Sequence, residues 1–180
     1  MSDAQPIASV YSAIGVAVVS LQALERTLRV CTTYVLQDGE GLDLAKLERM
    51  KAEDRRKTLG QFVTRLKQRA SLHPSFEELV NSVVDDRNAL VHDMSRIPGW
   101  NLNTEEGIRL ATEFVMRLLN RAHALNEVLT ALGRDWARQI GMEIKTTPEA
   151  EAYYQEIDSR YGDIVGRMFF HDAGLPKERK

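Results

Sequence analysis

The sequence predicts an all-α fold, a four- to five-helix bundle with a short C-terminal helical extension. Three observations lead there. Apolar residues recur at intervals of three and four along most of the 180 residues, no stretch alternates with the period of two that a half-buried strand needs, and glycine and proline gather at a few points that cut the pattern into long segments. The length suits one domain able to bury a core without metal or disulfide staples. Apolar residues at 43% and charged residues at 28% are the balance of a water-exposed globular chain. A single cysteine, Cys31, allows no internal disulfide and sits in an apolar helical pattern, as a small core residue would.

The first helix is expected from about Ile7 to Leu36, with Ile7, Tyr11, Ile14, Val18, Leu21, Leu28 and Val35 on one seam, and the Gln37–Gly41 stretch with its two glycines ends it. No charge occurs from Ala4 to Leu24. Gln5, Ser9, Ser12, Ser20 and Gln22 interrupt that run, and Asp3 stands where a leader needs a base, so the reading is a buried helix of a cytoplasmic protein without a membrane segment. Asp43 caps a short helix through Leu44–Met50, and a third follows with Leu59, Phe62, Val63 and Leu66 on one face. Ser75 and Glu78 form a capping box for the fourth helix, which Pro98-Gly99 ends near Ile97. Thr104, followed by Glu105 and Glu106, opens a long fifth helix with the seam Ile108, Ala111, Val115, Leu118, Ala122, Leu125, Leu129, Leu132, Trp136, stopped by Gly141. Residues 1–141 are thus the bundle. Residues 142–180 form an extension with a weaker helix from Pro148 and a polar tail.

Charge is unevenly spread. Between Lys46 and Arg69 nine Lys/Arg meet three acids, a local +6, so with a net charge of −2 the remainder carries −8. Arg55, Arg56, Lys57, Arg65, Lys67 and Arg69 are candidates for a phosphate-binding face, the plain alternative being a solvated helix surface.

The fourth helix raises a sharper question. On a wheel of about 100° per residue, Phe76, Leu79, Val80, Val83, Leu90, Met94 and Ile97 share one apolar arc, and Arg87 falls inside it. A guanidinium stays charged in a protein, so it needs a partner or a task. Glu25, read as a seam position of the first helix, is a candidate partner; Asp86 or an acid of a second subunit are others. The plain reading is a buried pair that sets helix register. A polar stripe, Asn81, Asp85, Asn88, His92 and Arg96, runs along the other side.

Arg87-Asn88-Ala89-Leu90-Val91-His92 resembles the R-x(4–6)-H signature of HEPN domains, helical bundles in which Asn, Asp or His commonly follows the arginine. The resemblance covers the bundle to about residue 140. It implies a metal-independent RNA endonuclease without a cofactor, working as a homodimer through the face bearing Arg87 and His92, in bacterial defence or a toxin–antitoxin system with an antitoxin or another regulatory protein as partner. Arg87, His92 and Asn88 are the implied catalytic residues, with Glu25, Asp85 and Asp93 in support. The residue types suit the chemistry: histidine moves protons, arginine stabilises phosphorane charge, and asparagine orients either. An ideal helix nevertheless sets Arg87 and His92 about 140° and about 7.5 Å apart. Either a long arginine side chain wraps part of that angle, or a two-fold axis brings Arg87 of one protomer toward His92 of the other, which makes dimerisation part of the mechanism.

Two other readings compete. A non-catalytic helical module would bind a nucleotide, nucleic acid or protein with the same residues. An HD-type metal phosphohydrolase would use His73, His92-Asp93 and Asp135, with His171-Asp172 incidental. Trp100, Trp136, Met94 and Met116 are expected to pack, and no P-loop, CxxC or HExxH is present.

Overall fold

The computed structural model describes residues 4–36 and 58–170 and is an all-α bundle. Its helices are α1 (Ala4–Val30), continued by a π-helical turn over Cys31–Val35, α2 (Leu59–Arg69), α3 (Pro74–His92), α4 (Glu105–Gln139) and α5 (Pro148–Met168). Among the described residues the one strand pairing is antiparallel, β1 (Ser71–Leu72) with β2 (Phe169–Phe170). The expected break at Gln37–Gly41, the Asp43-capped helix at Leu44–Met50 and the polar tail lie outside the described residues.

The chain forms two compact units, Met1–Leu24 with Glu78–Leu125, and Glu25–Glu77 with Asn126–Lys180. In the first, α1 buries Val10, Ala17, Leu21 and Leu24, α3 buries Val80, Val83, Ala89 and Leu90, and α4 buries Ala111, Phe114, Val115, Leu118, Ala122 and Leu125. Each fully buried large aliphatic or aromatic side chain contributes about 1.5–3 kcal/mol. In the second unit Thr27 donates to Asn126 Oδ1 at 2.7 Å, and Cys31 Sγ donates to the Leu129 carbonyl at 3.3 Å. Glu127 is only 5% exposed and accepts from Tyr161 Oη at 3.0 Å and from Arg160 Nη1 at 3.4 Å, which ties α5 to the second half of α4. A buried carboxylate needs such partners to remain charged.

The buried seam of α1 is rotated from the expected one. Val10, Ala17, Leu24 and Cys31 repeat every seven residues, with Leu21 and Leu28 between them, whereas Tyr11 is exposed and Ile14, Val18 and Glu25 are half-buried. The cause is compositional: α1 is apolar on every side, so spacing alone leaves the seam undetermined by one position, about 100°. By length and hydropathy the span Pro6–Val35 is able to cross a membrane, and only 22% of its most apolar window is buried, less than the expected buried helix implies.

Helix ends follow local chemistry. Thr58 starts α2, and Gln61 reaches back to accept from the Thr58 amide at 2.9 Å, a Thr-x-x-Gln capping signal readable in the sequence. α3 begins at Pro74, one residue before the expected Ser75, because proline at the first helical position loses no needed hydrogen bond; the Ser75 hydroxyl sits 2.9 Å from His73 Nδ1. Thr104 caps α4 as expected, its hydroxyl accepting from Gly107 N–H at 3.1 Å. Gly141, with φ of +69°, follows the end of α4. Pro148 opens α5, as expected, and the helix runs 21 residues to Met168. Met94 and Met116 are exposed rather than core residues.

Gly107 is required by contact: a Cβ there would lie 1.8 Å from the Asn101 carbonyl oxygen, whereas one at Gly133 would meet nothing within 4 Å. Gly107→Ala is therefore expected to lower stability by ~2 kcal/mol or more, and Gly133→Ala to raise it by ~0.5–1 kcal/mol; urea denaturation of both variants measures the contrast. Burial pushes the Cys31 thiol up to about 12. Above the ordinary thiol range the unfolded chain releases a proton that the folded chain keeps, so stability falls as pH rises towards about 12. Alkaline unfolding curves should steepen over that window relative to Cys31→Ala, and a thiol reagent at pH near 8 should label Cys31 only in denaturant.

Candidate active site at the end of α3

Arg87 leaves α3 between Val83 and Leu90, both buried, and its side chain is half-buried. Its guanidinium escapes the apolar arc by running round the helix. Arg87 Nη1 donates to Asn88 Oδ1 at 3.1 Å and meets His92 Nε2 at 3.0 Å. The long arginine stem spans the azimuth that separates the two Cα positions, so one chain unites all three residues of the motif without a symmetry axis. A guanidinium has only donors, and therefore His92 Nε2 must accept. The contact therefore calls for the tautomer that carries its proton on Nδ1.

The helix stops where this cluster needs it to. α3 ends at His92, five residues before the expected Ile97, because Asp93 leaves helical geometry (φ −158°, ψ 80°). The Asp93 carboxylate accepts from the Ser95 amide at 3.2 Å and from the Ser95 hydroxyl, capping a 3-10 turn over Met94–Arg96. His92 is thereby the exposed last residue of α3, and the chain beyond it turns away through Pro98 and Gly99, whose φ is +72°. Asp93 is thus the terminator of the helix, a role its sequence context (Asp-x-Ser before Pro-Gly) could have revealed.

The supporting residues fall out differently. Asp85 is exposed on the polar side of α3. Asp86, considered as a partner for Arg87, faces α4 instead, accepting from Arg121 Nη1 at 3.1 Å with Arg117 Nε at 4.0 Å. Glu25 is half-buried on α1, one residue after buried Leu24. Of the basic candidates, Arg55, Arg56 and Lys57 lie outside the described residues. Lys67 is bridged to Glu77 at 2.8 Å, and Arg65 is half-buried. Arg69 Nη1 donates to the carbonyls of Thr32 and, at 3.1 Å, Leu36, so its charge closes the carboxyl end of the first helical segment. Arg65, Lys67 and Arg69 all belong to the second unit, Arg87 to the first.

The residues of the metal reading are otherwise engaged. His73 pairs with Ser75, Asp135 accepts from Gln139 Nε2 at 2.7 Å, and Asp93 holds Ser95. Among the described residues no three His, Cys, Asp or Glu side chains gather in a ligand set; His171-Asp172 lies outside them. Trp100 packs edge-on to Phe114 with ring centroids 6.5 Å apart.

What fold and site define is a class: an all-α bundle presenting an Arg–Asn–His cluster at an exposed helix end. No family model, curated protein or solved structure matches the chain.

The capping role of Asp93 is measurable. Asp93→Ala should cost about 1 kcal/mol of stability, as losses of side-chain caps do, and should blur the end of α3, read as weakened amide protection at Ser95 in hydrogen exchange.

Proposed function

We propose that the protein is a metal-independent RNA endonuclease of HEPN type that cleaves through the 2′-hydroxyl of its substrate. The observation that carries this reading is the assembly of Arg87, Asn88 and His92 around one guanidinium nitrogen, 3.1 Å and 3.0 Å from its two acceptors. The cluster holds the elements such cleavage uses. A substrate phosphate offers Arg87 a charged acceptor in place of the neutral imidazole nitrogen, and charge-assisted bonds are the stronger ones. Once Nη1 turns to a non-bridging oxygen, His92 Nε2 is free to take the 2′-hydroxyl proton. The 2′-oxygen then bonds to phosphorus while Arg87 offsets the phosphorane charge. The bond to the 5′-oxygen breaks, and that oxygen takes up a proton from a general acid or from water. The products are a 2′,3′-cyclic phosphate and a 5′-hydroxyl. Asn88 holds the guanidinium throughout.

In this reading the enzyme works as a homodimer in the cytoplasm, each protomer carrying a complete cluster. A defence or toxin–antitoxin role, with an antitoxin or other regulator, follows from the resemblance alone. A second reading has one observation in its favour. Asn88 and His92, which meet Arg87 Nη1, are on its own helix, so the cluster also suits a non-catalytic module in which Arg87 fastens the end of α3. Cleavage of a mixed RNA substrate in EDTA separates the two. The nuclease should retain full activity, and Arg87→Ala and His92→Ala should each lower the rate at least ~100-fold while the fold persists by circular dichroism. Unchanged cleavage in both folded variants establishes the module instead, and loss of wild-type activity in EDTA removes the metal-independent mechanism.

A further inference from the structure

Where the end of α1 meets α2, in the second compact unit, the charge is all of one sign. From Arg26 to Leu36 and from Thr58 to Ala70 there are five bases, Arg26, Arg29, Arg65, Lys67 and Arg69, and no acid, in a chain whose acids outnumber its bases by 26 to 24. Two of the five are already answered. Lys67 is bridged to Glu77, and Arg69 holds the carbonyls of Thr32 and Leu36. Arg26 and Arg29 meet no carboxylate among the described residues. Residues three apart on a helix are neighbours, so two like charges stand side by side there. On the wheel Arg26, Arg29 and Thr33 form one row. Thr33 is buried and Arg29 meets Phe62, which turns that row towards α2.

Arg29 is held in a way that its surroundings do not explain. Its guanidinium lies over the Phe62 ring, 5.5 Å from the centroid, while its Nε is buried and finds no acceptor. Stacking on the ring is one gain for the group, but a buried donor left unmatched is costly, and such an atom calls for a cause. We infer that this face binds the phosphodiester backbone of a nucleic-acid strand, with Arg26 and Arg29 as its principal contacts. An oxyanion that draws the guanidinium outward gives Nε its acceptor, and a phosphate does so with two oxygens facing the arginine fork. The same anion relieves the repulsion between the two cations.

The rest of the face selects a phosphate strand over an acidic protein. Protein interfaces are built round apolar anchors. The exposed residues of α2 are Gln61, Thr64, Lys67 and Gln68, with neither an apolar nor an acidic side chain among them. Thr and Gln are the types that, beside Arg and Lys, hold phosphates and sugars. The inference rests on the nuclease reading only in taking the strand to be the RNA substrate; the surface itself performs no chemistry.

The test is fluorescence anisotropy of a labelled 2′-O-methyl RNA oligonucleotide with the full chain across a salt series. That probe lacks the 2′-hydroxyl that the proposed cleavage needs. Wild type should bind it, less tightly as salt rises. R26Q/R29Q should raise the dissociation constant at least ~10-fold and flatten its logarithmic salt slope by about 1.4, two phosphate contacts at about 0.7 each. R26Q alone, at an exposed site, should flatten the slope by about 0.7, so a folding defect does not decide the result. R109Q removes a charge already held by Glu106 and Glu113 and should bind as wild type does. DNA of the same sequence should bind comparably and lose as much in R26Q/R29Q, because phosphate is the group held. A wild type that binds neither strand, a wild type that binds only one of them, an unchanged R26Q/R29Q, an equal loss in R109Q, or a probe displaced more readily by polyglutamate than by unlabelled oligonucleotide would each overturn the assignment. RNA cleavage enters none of these readouts, so a failure here is distinct from a failure of the nuclease reading.

Discussion

A cation that cannot discharge has been set on the apolar side of α3, and much of the local structure answers to it. Arg87 is rooted between Val83 and Leu90, where a neutral side chain would complete the packing. Leaving its guanidinium there unpaired would cost several kcal/mol, so the side chain must carry the charge elsewhere. The route it takes fixes what it can touch. Asn88 and His92 are one and five residues on, and only a side chain as long as arginine reaches both from that root. Lysine offers a single point charge without the planar fork that faces two acceptors at once.

The position of the helix end is the second constraint. Had α3 run to Ile97, His92 would sit mid-helix with another turn beyond it. Asp93 prevents this by capturing the Ser95 amide and hydroxyl, which ends the helix one residue after the cluster and leaves the imidazole at an exposed terminus. The three polar residues of the motif and the aspartate after it thus have separate duties. One reaches, two receive, and the fourth clears the ground in front of them.

Much of this was readable in the sequence, and the failures share a physical origin. The long seam of α4, its Thr104 cap and its stop at Gly141 were legible because one face is apolar and the other charged, so a single rotation satisfies both. α1 gave no such contrast. Its outer and inner faces are both apolar, and the buried set proved to be Val10, Ala17 and Leu24 together with the expected Leu21 and Leu28, while Tyr11 is exposed and Val18 and Glu25 are half-buried. The end of α3 was misplaced because the proline-glycine signal was weighed and the aspartate's side-chain cap was not. Of the two ways to bring Arg87 and His92 together, a wrapping arginine stem or a two-fold axis, the first is the one found within a single chain. Arg69 shows the limit of counting charges: a base within a basic run is spent on two backbone carbonyls.

The contact between Arg87 and His92 has a consequence for any chemistry at this site. A neutral imidazole nitrogen that accepts from a guanidinium is not available to accept from anything else, so the cluster as it stands is closed. Protonation of Nε2 breaks the contact, since two donors then face each other, and so does an anion that draws the guanidinium away. The second route is the one a phosphate ester supplies. Under the proposed reading, the arginine holds the histidine's lone pair until the group to be cleaved takes its place, and substrate arrival and release of the base become one event. The same geometry would serve a binding module equally well as a phosphate sensor at the end of α3. What divides the two is whether a nucleophile then stands within reach of the freed nitrogen, and in RNA the 2′-hydroxyl lies one ribose bond from the oxygen that carries the phosphate.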